Sequence, residues 1–164
     1  MIVLVLPYPV SANRYWRPIH IAGRTMQAPS KDAKAYRADV ARICAAVGIR
    51  SPLSGRLALT IRLYPQRPQD WALRARKLGP AWHDDVRCID LDNANKVILD
   101  SLKGIAFDDD KWVFRLRCDR MEPDEHGARV VMAIEQLATP VVQRDLLPQS
   151  DPAPPASTST EVIA

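Results

Sequence analysis

Cysteine is scarce in this chain and long apolar runs are missing. Three of the 164 residues are cysteines, Cys44, Cys88 and Cys118. They are too few and too scattered for a disulfide framework, and since none lies in a CxxC pair, a zinc ribbon is also excluded. No stretch approaches the roughly 20 apolar residues of a membrane helix, and the apolar run at residues 1–6 lacks the basic region and cleavage site of a signal peptide. The sequence therefore predicts a protein of the reducing cytosol, outside any membrane.

The composition is that of a folded domain with a different C-terminal segment. Apolar residues make up 47% of the chain and charged residues 26%, so a hydrophobic core is expected and disorder throughout is excluded. From Thr139 onward the sequence is rich in proline, serine and threonine, a composition that buries too little to offset its ordering entropy. We therefore predict one domain over 1–138 and a disordered tail over 139–164.

Basic and acidic residues are segregated along the chain. Residues 1–50 hold 8 Lys/Arg against 2 Asp/Glu and residues 51–89 hold 7 against 3, whereas residues 90–137 hold 7 against 11. A basic body around a compact acidic segment is expected of a protein that binds a polyanion and holds a metal against it. Charges that merely cluster on a solvated surface are the alternative, and the charge pattern alone favours neither.

Apolar periodicity predicts six elements. Strands are predicted at residues 2–6, 57–63, 112–118 and 128–137, and helices at about 31–47, after an N-cap at Ser30, and 91–102. The last two strands, joined by a turn at 123–127, are predicted to pair as a hairpin. Residues 65–88 are predicted to form a long connecting loop. The order β-α-β-α-β-β predicts an α+β fold in which a mixed β-sheet carries two helices on one face.

Acidic residues concentrate where the second predicted helix begins and again just after it ends. In extended backbone before a helix, Asp90 and Asp92 point to the same side while Leu91 points to the core. Two adjacent carboxylates repel each other unless a cation lies between them. Oxygen ligands suit Mg²⁺ or Mn²⁺, and the lack of nearby His or Cys argues against zinc. Lys96 shares a helix face with Asp92 and could hold a phosphate.

A third carboxylate is expected from the acidic run at residues 108–110, which the fold would have to return to the start of the helix. Three aspartates and one lysine are what metal-assisted phosphodiester hydrolysis requires. Simpler interpretations exist for each part: Asp90 as a helix cap, Asp92–Lys96 as a surface ion pair, and the acidic run as a solvated turn. The combination favours a functional site.

Three motifs follow one another in order along the chain: Leu6-Pro7-Tyr8-Pro9 with Ser11 and Asn13-Arg14-Tyr15; Asp90-Leu91-Asp92-Asn93 with Lys96, Asp100 and Leu102; and Asp109-Asp110 with Trp112-Val113. They resemble the patterns LPxPPSxNxxY, DLDNxxKxxxDxL and DDxQV of the RusA family of Holliday-junction resolvases, found in bacteria and their phages. The resemblance spans residues 3–135. The chain departs from the family pattern at Trp112, where glutamine is usual, and in the longer connection at 65–88.

The resemblance implies that Asp90, Asp92 and Asp110 bind a divalent metal, with Mg²⁺ expected and Mn²⁺ possible, and that Lys96 is needed for cleavage. The run of three acids also allows Asp109 as the third ligand. The resemblance further implies a homodimer that cuts four-way DNA junctions by paired, symmetric nicks. A junction with approximate two-fold symmetry suits a two-fold dimer.

The basic first half of the chain and the start of the second helix would then contact DNA, through phosphates that position it without reading its sequence. The candidate contacts are Asn13, Arg14, Arg17, Arg24, Lys31, Lys34, Arg37 and Asn93. Two alternatives stay open. The domain could bind junctions without cutting them, or it could be a metal nuclease that acts on other branched DNA such as flaps or forks.

Overall fold

A computed structural model describes residues 1–138, so the predicted tail at 139–164 lies outside the described residues. The strands are β1 (Ile2–Pro7), β2 (Trp16–Ile21), β3 (Arg24–Pro29), β4 (Leu57–Tyr64), β5 (Val113–Arg120) and β6 (Arg129–Gln136). The helices are α1 (Ala12–Tyr15), α2 (Lys31–Ala46), α3 (Trp71–Leu78) and α4 (Leu91–Leu102), with short 3₁₀ segments at Gly79–His83 and Asp110–Trp112. Within residues 1–138, no helix is long and apolar enough to cross a membrane. The α+β class is confirmed, and all six predicted elements are present.

Four of the strands form one mixed sheet in the order β1-β6-β4-β5. β6 is antiparallel to both β1 and β4, whereas β5 runs parallel to β4. The predicted hairpin between the last two strands was therefore wrong, because β4 lies between β5 and β6. The segment after β5 passes the end of β4, where the Met121 amide donates to the Leu63 carbonyl at 2.9 Å. Alternation of apolar residues fixes the face that a strand buries but not its neighbour.

Helices α2 and α4 pack on the same face of this sheet, as predicted. Alternate residues of β4, such as Leu59 and Ile61, are buried there together with Val40 of α2 and Ile98 of α4. The N-cap predicted at Ser30 is present, since its hydroxyl accepts a hydrogen bond from the Ala33 amide at 3.2 Å. One core therefore fixes α4, which carries the candidate site, against the sheet.

The short helix α1, the strands β2 and β3, and helix α3 were not predicted from the sequence. β2 and β3 form an antiparallel hairpin whose turn has positive φ at both Ala22 and Gly23. Alanine is unusual at the first position of such a turn, and Pro18 within β2 further obscures the strand pattern. The region predicted as a loop at 65–88 contains α3, an eight-residue helix none of whose residues is buried.

Candidate functional site

The first turn of α4 presents two acidic side chains to solvent. Asp90 occupies the N-cap position with extended backbone, and Asp92 lies in the first turn. Within the described part of the chain the Asp90 carboxylate caps no backbone amide of the helix; it accepts a 3.4 Å hydrogen bond from the Asn93 side chain. Helix capping therefore does not account for Asp90, whose carboxylate oxygens stay available to a ligand.

The segment that leads into Asp90 is held by groups distant in sequence. The Tyr8 hydroxyl accepts a hydrogen bond from the Ile89 amide at 3.0 Å and lies 3.3 Å from the Cys88 sulfur. Burial is the main cause that raises the pKa of Tyr8 to about 12, so this hydroxyl stays protonated at neutral pH. The guanidinium of Arg120 donates to the Val86 carbonyl at 2.6 Å. These contacts fix the backbone from which Asp90 projects.

Three adjoining cavities run along one side of α4, and we call them together the α4 groove. The first, of about 420 Å³, is lined by Asp90, Asn93 and Asn13 among others. The second, of about 780 Å³, shares Asn13 with the first, and the third, of about 380 Å³, shares Trp16 and Asp100 with the second. The lining residues of α4 and its C-cap recur every three or four positions and so share one helix face: Asp90, Asn93, Lys96, Asp100 and Lys103.

Lys96 lies at the middle of the α4 groove. It forms no ion pair with any acidic residue among 1–138, including Asp92 one turn before it. The alternative interpretation, in which Asp92 and Lys96 form a surface ion pair, is therefore wrong. Partial burial raises the pKa of Asp100, which also lines the groove, while the positive charge of Lys96 opposes that rise.

The acidic run at 108–110 lies against the other end of α4. The Lys103 ammonium, at the C-cap of the helix, is 2.8 Å from an Asp109 oxygen and 3.1 Å from an Asp110 oxygen. Hydrogen bonding to Lys103 is the main cause that holds the pKa of Asp109 well below its usual range. A helix of 12 residues is about 18 Å long. The expectation that residues 108–110 return to the start of α4 was therefore wrong for a single chain, because they lie at its other end.

The aspartates at the start of α4 are suitable ligands for a divalent metal, but they number two where three were expected. Nowhere in residues 1–138 do three His, Cys, Asp or Glu side chains form a group that could hold a metal ion. Asp90 and Asp92 offer oxygen donors, which Mg²⁺ and Mn²⁺ prefer. Magnesium is commonly bound by one or two carboxylates together with water and substrate phosphates. The pair therefore suits such an ion without Asp110.

The predicted DNA contacts divide into three groups. Arg17 and Arg24 lie exposed on the β2–β3 hairpin, and Lys31 is exposed at the start of α2. Asn13, Asn93 and Lys34 line the α4 groove. Two others already have protein partners: Arg14 forms an exposed ion pair with Asp32 at 3.2 Å, and Arg37 binds backbone carbonyls at the end of α4.

Sequence reasoning missed two residues that shape this groove. Trp16 and Gln27 come from the unpredicted hairpin and line the same cavity as Lys96. Gly23, after the apolar Ile19 and Ile21, is the signal that could have revealed a turn there.

Comparison with known families identifies the family of the chain. A search of curated proteins found no match to the sequence. The family described as endodeoxyribonuclease RusA matches residues 7–135, which include Asp90, Asp92, Lys96 and the residues that line the α4 groove. The chain belongs to the RusA endodeoxyribonuclease family.

Proposed function

We propose that this protein is a divalent-metal-dependent endodeoxyribonuclease that resolves Holliday junctions by paired, symmetric hydrolysis of phosphodiester bonds. The observation that carries the proposal is α4, whose start bears the carboxylates of Asp90 and Asp92. Asp90 lines the α4 groove, and so does Lys96, which has no acidic partner among residues 1–138. Membership of the family supports the endonuclease activity. The specificity for four-way junctions follows from the family resemblance.

The residues of α4 and of its groove would divide the work along the helix. Asp90 and Asp92 would hold Mg²⁺ or Mn²⁺, which when bound lowers the pKa of a water and neutralises charge on the phosphate. Lys96 would bind a phosphate oxygen and stabilise the negative charge that develops on it. The amides of Asn13 and Asn93, which line the same cavity, would donate hydrogen bonds to the DNA backbone.

The length of the groove suits a DNA strand. About 18 Å of helix corresponds to roughly five nucleotides of a stacked strand at about 3.4 Å each. The basic residues of the hairpin and of α2, such as Arg17, Arg24 and Lys31, would contact phosphates farther along the arms. Phosphate contacts of this kind position DNA and leave recognition of the branch to the groove.

We further propose that the protein acts as a homodimer. A four-way junction has approximate two-fold symmetry, and a two-fold dimer presents two matching sites, one for each nick. The chain mass is 18.4 kDa, so light scattering should report about twice that mass. A mass equal to that of one chain, both with and without junction DNA, would contradict the dimer.

Cleavage assays on a mobile four-way junction, a flap, a fork and a duplex test the activity. Wild-type protein with Mg²⁺ should nick two strands of the junction at symmetric positions, and EDTA should abolish cleavage. Asp92→Asn should cut at least about 100-fold more slowly, since metal ligands are needed for the reaction. Asp39→Asn, on α2 and paired with Arg42 at 2.7 Å, is the matched control and should cut normally.

The outcomes separate the alternatives. Junction binding without metal-dependent nicking would favour a binding module, and faster cleavage of flaps or forks would favour another branched substrate. Equal cleavage by wild type and Asp92→Asn would remove the metal-site assignment. Asp110→Asn tests the third ligand that the resemblance implies: a loss as large as that of Asp92→Asn would support it, and normal cleavage would leave Asp110 as a partner of Lys103.

A further inference from the structure

Trp16 places a large aromatic ring in the α4 groove, where it is not needed for the core. Its side chain is 36% exposed and is absent from the hydrophobic core cluster of residues 1–138. It lines both the second cavity, with Lys96, and the third, with Lys34. An exposed indole amid polar and charged side chains is a surface on which a planar ligand can stack.

The ring of Trp16 is held in place by its neighbours. It makes an edge-to-face contact with Tyr15, with ring centroids 5.2 Å apart and planes inclined by 66°. Tyr15 is buried, and its hydroxyl lies 3.5 Å from the Ser101 hydroxyl of α4. The backbone of Trp16 is paired with that of Pro29 in the β2–β3 hairpin. The indole is therefore fixed relative to α4 before any ligand binds, which lowers the entropic cost of stacking.

The groups around the ring match the parts of a nucleotide. Lys96 provides a positive charge for a phosphate, while Asn13 and Gln27 provide amide donors and acceptors for sugar or base edges. A cavity of about 780 Å³ is within the range of sites that hold small ligands. Aromatic rings beside cationic groups are the usual means by which proteins bind unpaired bases.

Resting on the proposed function, we infer that Trp16 stacks on one unpaired nucleobase beside the phosphate that Lys96 holds. In a duplex both faces of a base are covered by neighbouring bases, whereas a base at a branch point can leave its stack at lower cost. Trp16 would therefore select branched DNA over plain duplex. It is a specificity-determining residue that takes no part in the hydrolysis itself.

A double-mutant cycle between protein and DNA tests this inference, in the Asp92→Asn background so that the DNA stays intact. Affinities are measured for the intact junction and for junctions with one abasic nucleotide at each position near the crossover. Trp16→Ala should bind the intact junction about 5- to 100-fold more weakly, whereas its affinity for duplex should hardly change. One abasic position should weaken binding by the protein that retains Trp16 but not by the Trp16→Ala variant.

Two further variants control for loss of structure. Trp16→Phe keeps a ring and should retain most of the junction affinity. Trp71→Ala removes a tryptophan of similar exposure, 39%, that lies outside the α4 groove, and should bind the intact junction normally. Equal losses for every abasic junction with and without Trp16 would overturn the inference, as would a Trp16→Ala variant that is less stable but equally selective.

The result is separable from the fate of the proposed function. If wild-type protein cuts junctions in a metal-dependent reaction and Trp16→Ala shows no coupling to any base, only the stacking role is lost. If wild-type protein neither binds nor cuts branched DNA, the proposed function fails and the stacking role fails with it.

Discussion

The guanidinium of Arg37, on α2, donates a hydrogen bond of 2.9 Å to the backbone carbonyl of Lys103, at the end of α4. It also donates to the Asp100 carbonyl at 3.4 Å. The last carbonyls of a helix have no partner within the helix and carry partial negative charge, so a cation there satisfies both needs. Arg37, which charge and resemblance predicted as a DNA contact, thus joins the two core helices.

Replacing Arg37 by alanine should destabilise the fold more than it weakens DNA binding. Loss of the hydrogen bonds to the end of α4 should lower the free energy of unfolding by about 1–2 kcal/mol, measured by urea denaturation. Lys31→Ala, an exposed change on the same helix, should stay within about 0.5 kcal/mol of wild type. Equal stability of Arg37→Ala and Lys31→Ala, together with a large loss of junction affinity in Arg37→Ala, would assign Arg37 to DNA instead.

The sequence predicted the elements of the core better than their arrangement. The bounds of α4 agree with the apolar spacing from Leu91 to Leu102, because a buried helix face leaves a strong 3.6-residue pattern. The pairing of β6 with β4 could not be read in the same way. Strand order depends on packing among segments distant in sequence, and the pattern of one strand does not record it.

For the candidate site, the local sequence predicted the residues at the start of α4 but not which distant residues lie near that helix. Asp90, Asp92 and Lys96 share one short helix, so their relative placement follows from helix geometry. The partners of Asp109 and Asp110 depend on the path of the backbone after Gly104. On that path both carboxylates form ion pairs with Lys103. The position of Trp16 depends on a hairpin whose turn begins with alanine, which hides the usual signal.

The turn of that hairpin holds Ala22 at a φ of 49°, a left-handed conformation that costs a side-chain-bearing residue about 1 kcal/mol. Ala22→Gly should therefore stabilise the hairpin by about 0.5 kcal/mol, after allowance for the greater freedom of glycine in the unfolded chain. Slower hydrogen exchange of the β2 and β3 amides would show this. Ala28→Gly, within β3, should speed exchange, and faster exchange in both variants would contradict the prediction.

The ion pair between Asp124 and Arg129 should make stability depend on pH in the acid range. Both Asp124 oxygens lie 2.6 Å from guanidinium nitrogens, and these hydrogen bonds are the main cause that lowers the pKa of Asp124 to about 2. A carboxyl whose folded pKa is lowered adds stability that is present above its unfolded pKa of about 4 and lost as the pH falls through the folded value.

Asp124→Asn should therefore lower the free energy of unfolding by about 1 kcal/mol at pH 7, and the difference from wild type should vanish as the pH falls from about 4 to about 2. Thermal unfolding at a series of pH values measures it. Glu125→Gln alters a neighbouring, more exposed acid whose ion pair with Arg67 is 3.6 Å long, and should cost less. A constant difference between wild type and Asp124→Asn across that range would show that the charge is not responsible.

Lys96 and Lys103 line the same groove but should differ in their effect on DNA binding. The Lys103 ammonium is within hydrogen-bond distance of Asp109 and Asp110, which raise its pKa through those bonds, so its charge is largely compensated. Lys96 has no acidic partner at ion-pair distance within residues 1–138. Its ammonium is therefore free to displace a counterion from a DNA phosphate.

Each phosphate that a lysine neutralises adds about 0.9 to the slope of log affinity against log salt concentration. Lys96→Ala should lower that slope by about 1, whereas Lys103→Ala should leave it nearly unchanged. Fluorescence anisotropy of a labelled junction between about 50 and 200 mM salt measures both, in the Asp92→Asn background. If Lys103→Ala lowers the slope as much as Lys96→Ala, the contacts with Asp109 and Asp110 do not persist on DNA, and both lysines bind the strand in the α4 groove.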